Sequence, residues 1–333
     1  MSDHLLVEVT RGKLVESVHR VAACVVDGGD AVLYGAGDIE APVYLRSSAK
    51  PFIAAAIVRS GAAARFNLEP REIAVIAGSH FGEPFHVDAV ASILAKVGMD
   101  GGALQCGVHW PYDDAVAEAL RGAGEGPSAL HNNCSGKHAG ILALCTTIGA
   151  DTATYLRPEN PAQQYILQYC ARVTGDDAAR WPIGVDGCGI PVYATSLRKA
   201  ARSFARLAAQ EGVDAADAQA LRAVRDAMLA HPEYVAGTGR LDTELMRAAG
   251  GNLVAKAGAE GVHGIGAIAP GYGYAGKVLD GSSRARGPAT LAVLREVGVL
   301  DEGKAGELAR FAAPPVYNRA GEIVGRIGVP PRA

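Results

Sequence analysis

Residues 46–58 read Arg46-Ser47-Ser48-Ala49-Lys50-Pro51-Phe52-Ile53-Ala54-Ala55-Ala56-Ile57-Val58. Proline fixes its own φ and lacks an N–H, so within a helix it belongs in the first turn. No polar residue follows Pro51 until Arg59. A helix that is apolar all round is buried. The stretch therefore predicts a core helix that begins beside Lys50. Ser47 and Lys50 stand at i and i+3, on one face of such a helix. Burial disfavours a charged amine. A neutral lysine can strip a serine hydroxyl, which is a poor nucleophile without an adjacent base. The ordinary alternative is that Ser47 caps the helix and Lys50 snorkels. The chain supplies its own control at Ser196-Leu197-Arg198-Lys199. There Leu197, Ala201, Phe204 and Ala208 form an apolar stripe, with Arg198, Lys199, Arg202 and Arg206 largely outside it, so Lys199 reads as a solvated lysine.

Outward from this helix, residues 5–10, 14–26 and 31–34 read as strands separated by Arg11-Gly12 and Asp27-Gly28-Gly29-Asp30, an antiparallel meander. Helical patterns cover 85–97, 134–149, 158–173, 195–212 and 217–230, and Pro70 starts another. Residues 98–131 read as loops. Strands return at 253–256, 262–268, 272–279 and 322–327, with a helix at about 288–297. Strands, then helices, then strands make an α+β layout: an antiparallel sheet flanked by helices, with an inserted helical subdomain. The sheet part is expected at about 1–80 and 250–333 and the helical part at 81–249, in one catalytic unit. Gly271-Tyr272-Gly273-Tyr274-Ala275-Gly276 mimics a dinucleotide fingerprint. A strand and turn follow it instead of a helix, so no such cofactor is expected.

The chain has 333 residues, 49% hydrophobic and 20% charged, which allows a large core and excludes disorder. A net charge of −3 without a long basic run gives no footprint for nucleic acid or an anionic membrane. No apolar run has the length of a membrane span, and the N-terminus does not read as a secretory signal. A cytoplasmic location is expected. In that compartment the six cysteines read as buried thiols or metal ligands.

Four further stretches carry candidate chemistry. Ser79 sits in the turn Gly78-Ser79-His80-Phe81-Gly82, where small neighbours allow close approach of a ligand. Lys256-Ala257-Gly258 ends a strand and resembles the Lys-Thr-Gly element that lines Ser-Lys sites. Asn132-Asn133-Cys134-Ser135-Gly136-Lys137-His138 and Asp186-Gly187-Cys188-Gly189 each place a cysteine in a polar or glycine-flanked setting. Two thiolates and a nitrogen ligand suit zinc, and by spacing the nitrogen could be His138. Two buried thiols are the plain alternative.

These motifs, together with Lys256-x-Gly-x-Glu-Gly261, occur in one order that closely resembles the class 3, rhizobial-type L-asparaginases of the asparaginase II family. The resemblance runs from about residue 5 to 328. It implies a serine-β-lactamase-like fold, shared with serine-dependent glutaminases, and a homodimer. It implies two Ser-Lys tandems, Ser47 with Lys50 and Ser79 with Lys256. It maps a Zn2+ site, supporting substrate binding, onto Cys134, Lys137 and Cys188, and substrate contacts onto Arg46, His138 and Asp186. The implied reaction hydrolyses L-asparagine to L-aspartate and ammonia, with Ser47 attacking and Lys50 as base. A glutaminase differs by one methylene of substrate. A β-lactamase-type hydrolase would add a Ser-x-Asn element, which this chain lacks. A non-enzymatic alternative is a metal-stabilised amino-acid-binding protein.

Overall fold

Strands and helices segregate along the chain, and a computed structural model covering residues 3–331 shows how. Met1, Ser2, Arg332 and Ala333 lie outside the described residues, so the N-terminal reading and the outer limits of the expected sheet part fall partly beyond them. Two compact units form. One contains the chain up to Ser48, Thr195–Gly212 and the chain from Glu244; the other contains Ala49–Ala194 and Val213–Thr243.

The first unit is an antiparallel sheet. Its strand order is Pro315–Tyr317, Ile323–Gly328, Leu5–Arg11, Leu14–Val26, Tyr272–Val278, Val262–Ala267, Leu253–Ala257, with Val32–Ala36 also paired to Leu14–Val26. Within Leu14–Val26 the six residues from Val21 to Val26 are all buried, a continuous run that fits a strand covered on both faces. The two covers follow from the period of two. On one face Gly266 stands opposite Gly273. A Cβ on Gly273 would overlap the Ala201 carbonyl, so only glycine lets the Leu197–Ala209 helix approach this closely. On the other face His263 Nδ1 and the Tyr274 hydroxyl meet Thr290 Oγ1, at 2.9 and 3.2 Å. That threonine lies on the Arg286–Glu296 helix, beneath which Val7, Val9, Val21 and Val278 pack with Ala285 and Ala289. The false dinucleotide pattern lies on the strand Tyr272–Val278.

The second unit is mainly helical and is built around Lys50–Arg59, where every residue from Lys50 to Ile57 is buried. Ser135–Ile148, Pro161–Thr174 and Ala215–Ala230 pack against it. Asp217, 2% exposed, joins three of these helices by accepting from Arg59 Nε and Arg172 Nε, both at 3.1 Å. A short hairpin pairs Ile183–Val185 with Pro191–Ser196.

The architecture is α+β, an antiparallel sheet flanked by helices with an inserted helical unit. Its boundaries differ from the sequence reading. Residues 49–80 belong to the helical unit because the apolar helix forms its core, and Leu197–Ala209 belongs with the sheet its stripe covers. Residues 98–131 are not all loop: Asp114–Gly122 is a helix, capped by the Asp113 carboxylate accepting from the Val116 N–H at 3.1 Å. The helix expected from Pro158 begins at Pro161, where Asn160 caps it. In the control motif Ser196 is a helix cap, accepting from the Lys199 N–H at 3.3 Å.

Candidate active site

Arg46–Ala49 form a 3-10 turn that continues directly into Lys50–Arg59, with Pro51 in the first turn. This start sinks Lys50 into the helical unit, where it is 1% exposed. Its Nζ lies 2.7 Å from the Gly78 carbonyl, 2.9 Å from Ser79 Oγ and 3.1 Å from the Asn133 carbonyl. Two of these partners can only accept, so they fix two N–H bonds. The third direction faces a hydroxyl, which can accept from an ammonium or donate to a neutral amine. Cys134 also bonds this amine, so Ser79 and Cys134 are the side chains with which Lys50 can exchange a proton. Burial pulls the Lys50 pKa down; the Cys134 thiolate opposes this and the Lys137 charge adds to it.

The Ser79 turn is itself held. The Ser79 N–H donates to the Val235 carbonyl at 2.7 Å. A Cβ on Gly78 would stand 2.6 Å from the Tyr234 carbonyl, so that approach requires glycine. Next to it His80 is fully buried. Its Nδ1 accepts from the Gly82 N–H at 3.2 Å, which leaves Nε2 to donate to Ser135 Oγ at 2.8 Å. Burial keeps this ring neutral.

Cys134, Lys137 and Cys188 converge, all buried. Lys137 Nζ donates to Cys188 Sγ at 2.9 Å. The two sulfurs share one negative charge. The Cys188 thiol donates to Cys134 and holds it well below the ordinary thiol range, helped by the Lys137 and Lys50 charges; the bond to Cys134 correspondingly raises Cys188. Burial opposes the charge on Lys137, but the two cysteines outweigh it and raise its pKa. Asp186 opens the turn that carries Cys188: its N–H donates to the Ile190 carbonyl at 2.9 Å and its carbonyl accepts from the Gly189 N–H at 2.8 Å. Among the described residues no group of three or more His, Cys, Asp or Glu side chains is placed to hold a metal ion. Two sulfurs and an amine nonetheless meet in one buried place. Their chemistry fits zinc only if Lys137 gives up its proton.

His138 follows Lys137 and is fully buried. The Tyr155 hydroxyl accepts from the Gln105 N–H at 2.8 Å and shares a hydrogen bond with His138 Nδ1 at 2.7 Å. His138 Nε2 is buried without a partner among the described residues.

In the sheet unit Lys256 is 1% exposed and its Nζ donates to the Ala257 carbonyl at 2.6 Å. Arg46 has a positive φ of 51°, and its charge helps lower the pKa of Lys277, for which burial is the main cause. Ser47 is half-buried on the 3-10 turn.

The sequence signature of the L-asparaginase II family matches residues 7–329. The chain belongs to the L-asparaginase II family. No curated protein sequence matches it detectably. Among solved structures, this family member is similar to Mglu in its tris and glutamate form, with 13% identity and a TM-score of 0.37, covering 85% of this chain and 60% of that one. A second structure of Mglu gives 14%, 0.36, 85% and 68%. The chain thus spans about three fifths to two thirds of the length of these structures.

The groups that sequence reasoning missed are the Gly78 and Asn133 carbonyls and the Tyr155 hydroxyl. The two carbonyls carry no side-chain signal. Tyr155 is one tyrosine among eleven.

Proposed function

We propose that this L-asparaginase II family member hydrolyses the side-chain amide of asparagine or glutamine through a serine acyl-enzyme, with Lys50 as the base. The observation that carries the reading is a buried amine, its pKa lowered by burial, 2.9 Å from the Ser79 hydroxyl. Neutral Lys50 takes the serine proton as the oxygen attacks the amide carbon. Collapse of the tetrahedral adduct breaks the C–N bond, and the Lys50 proton leaves with ammonia. Water then attacks the ester and gives one proton to Lys50, which passes it to the serine oxygen as the carboxylic acid departs and loses its remaining proton to the released ammonia. Asp186 pairs with the substrate ammonium, and His138 offers its unpartnered Nε2 to the substrate. A zinc ion on Cys134, Lys137 and Cys188 would neutralise the thiolates and order that wall of the substrate site.

The Lys50–Ser79 distance supports Ser79 as the activated serine. A second reading keeps Ser47 as nucleophile, because the continuous helical stretch from Arg46 puts it three residues before Lys50. Ammonia release from asparagine and glutamine tests the activity, and intact mass of the enzyme quenched during turnover tests the intermediate. Ser79→Ala should lose both ammonia release and adduct. An adduct that persists in Ser79→Ala and vanishes in Ser47→Ala selects Ser47. Wild-type protein that releases no ammonia from either amide would sink the proposal.

A further inference from the structure

The backbone that meets Lys50 at Asn133 is held from a segment outside the site described above. The Asn133 N–H donates to His109 Nε2 at 3.0 Å. A backbone N–H can only donate, so Nε2 presents its lone pair and the ring proton is on Nδ1. Nδ1 stands 2.7 Å from the Trp110 carbonyl, which can only accept. Both bonds select the same neutral tautomer. The next peptide plane carries the Asn133 carbonyl and the Cys134 N–H, and the latter donates to Asn132 Oδ1 at 2.8 Å. With one plane pinned by His109 and the other by Asn132, the carbonyl facing Lys50 loses its freedom to turn.

The same segment reaches the Ser79 turn. The Asp113 N–H donates to the Phe81 carbonyl at 3.0 Å. Tyr112 stacks on His109 with ring centroids 4.7 Å apart and meets Phe81 edge-on at 5.5 Å. Val108, Trp110 and Tyr112 are exposed, so this is a surface strap and not core. Core packing therefore does not account for a histidine there; an acceptor in that position does.

We propose that His109 is a positioning residue for the Lys50 amine, acting through the Asn133 backbone; its effect on turnover rests on the amidohydrolase reading above. Glutamine at this position still offers an acceptor, and leucine does not. His109→Leu should lower kcat about tenfold while KM stays within about twofold, and His109→Gln should recover to within about threefold of wild type. Two measurements do not need activity. Exchange of the Asn133 amide should quicken about tenfold in the leucine variant only, and the Lys50 15Nζ resonance should move in that variant only. If wild type releases no ammonia yet both signals behave so, the proposed reaction fails and the positioning role stands. If neither signal responds, or if both respond with kcat unchanged, or if leucine and glutamine act alike, the positioning role is overturned.

Discussion

Lys50 Nζ and Ser79 Oγ lie 2.9 Å apart, and the same amine meets two carbonyls and the Cys134 sulfur. Carbonyls cannot give a proton. The serine hydroxyl can either accept from Lys50 or give it a proton, which is the property a base at this position would use.

Lys50→Met should reduce ammonia release by about 10²–10⁴, the usual contribution of a positioned base. The Gly78 and Asn133 carbonyls lose their donor, so denaturant unfolding should also show a loss of about 1–3 kcal/mol. A variant with wild-type kcat would remove Lys50 from the chemistry.

Gly78→Ala forces a Cβ to within 2.6 Å of the Tyr234 carbonyl. The Ser79 turn must then move off the Val235 carbonyl. A destabilisation of about 1–3 kcal/mol is expected, together with a roughly ten- to hundredfold fall in kcat. Thermal melts and steady-state kinetics on the same preparation check both; a drop in Tm with unchanged kcat would mean the turn's exact place is catalytically indifferent.

Acid should weaken the fold through buried histidines. Burial pushes His86 down to about 4, while in the unfolded chain it titrates near ~6.5. Its ring stacks on His80 and its Nε2 donates to the Glu233 carbonyl at 2.9 Å, with Glu83, Glu233 and Asp113 as the nearby acids. A lowered histidine pKa means the unfolded state binds the proton first. Its contribution is therefore complete above pH ~6.5 and is lost as pH falls to about 4, at a cost of about 3 kcal/mol. Urea unfolding at pH 7.5, 5.5 and 4.5 measures the slope, and His86→Phe should flatten it. Equal slopes in the two proteins would refute the assignment.

Metal removal should act on binding. If zinc sits on Cys134, Lys137 and Cys188, chelation should raise KM by several-fold more than it lowers kcat, and Cys188→Ser should abolish metal content by elemental analysis. A larger effect on kcat would contradict a role in ordering the substrate wall.

The stretch around Lys50 was legible because two rules acted together on consecutive residues: proline marks a helix start, and an unbroken apolar run demands burial. The helix Asp114–Gly122 was hidden because its apolar face is only Val116, Ala117 and Leu120, flanked by glycine and proline. Cys134 and Cys188 could be chosen from their settings, but spacing alone pointed to His138 as the nitrogen beside them. The structure sets Lys137 against the sulfur and turns His138 toward Tyr155.

From residue order alone came the buried lysine, the α+β layout and the family, since each depends on patterns along the chain. Which hydroxyl that lysine meets was decided only in three dimensions. Gly78, Ser79 and Asn133 come from two loops far apart in sequence, and two of their three contacts are made by backbone oxygens. A backbone carbonyl is the same in every residue, so only the fold can say where it points.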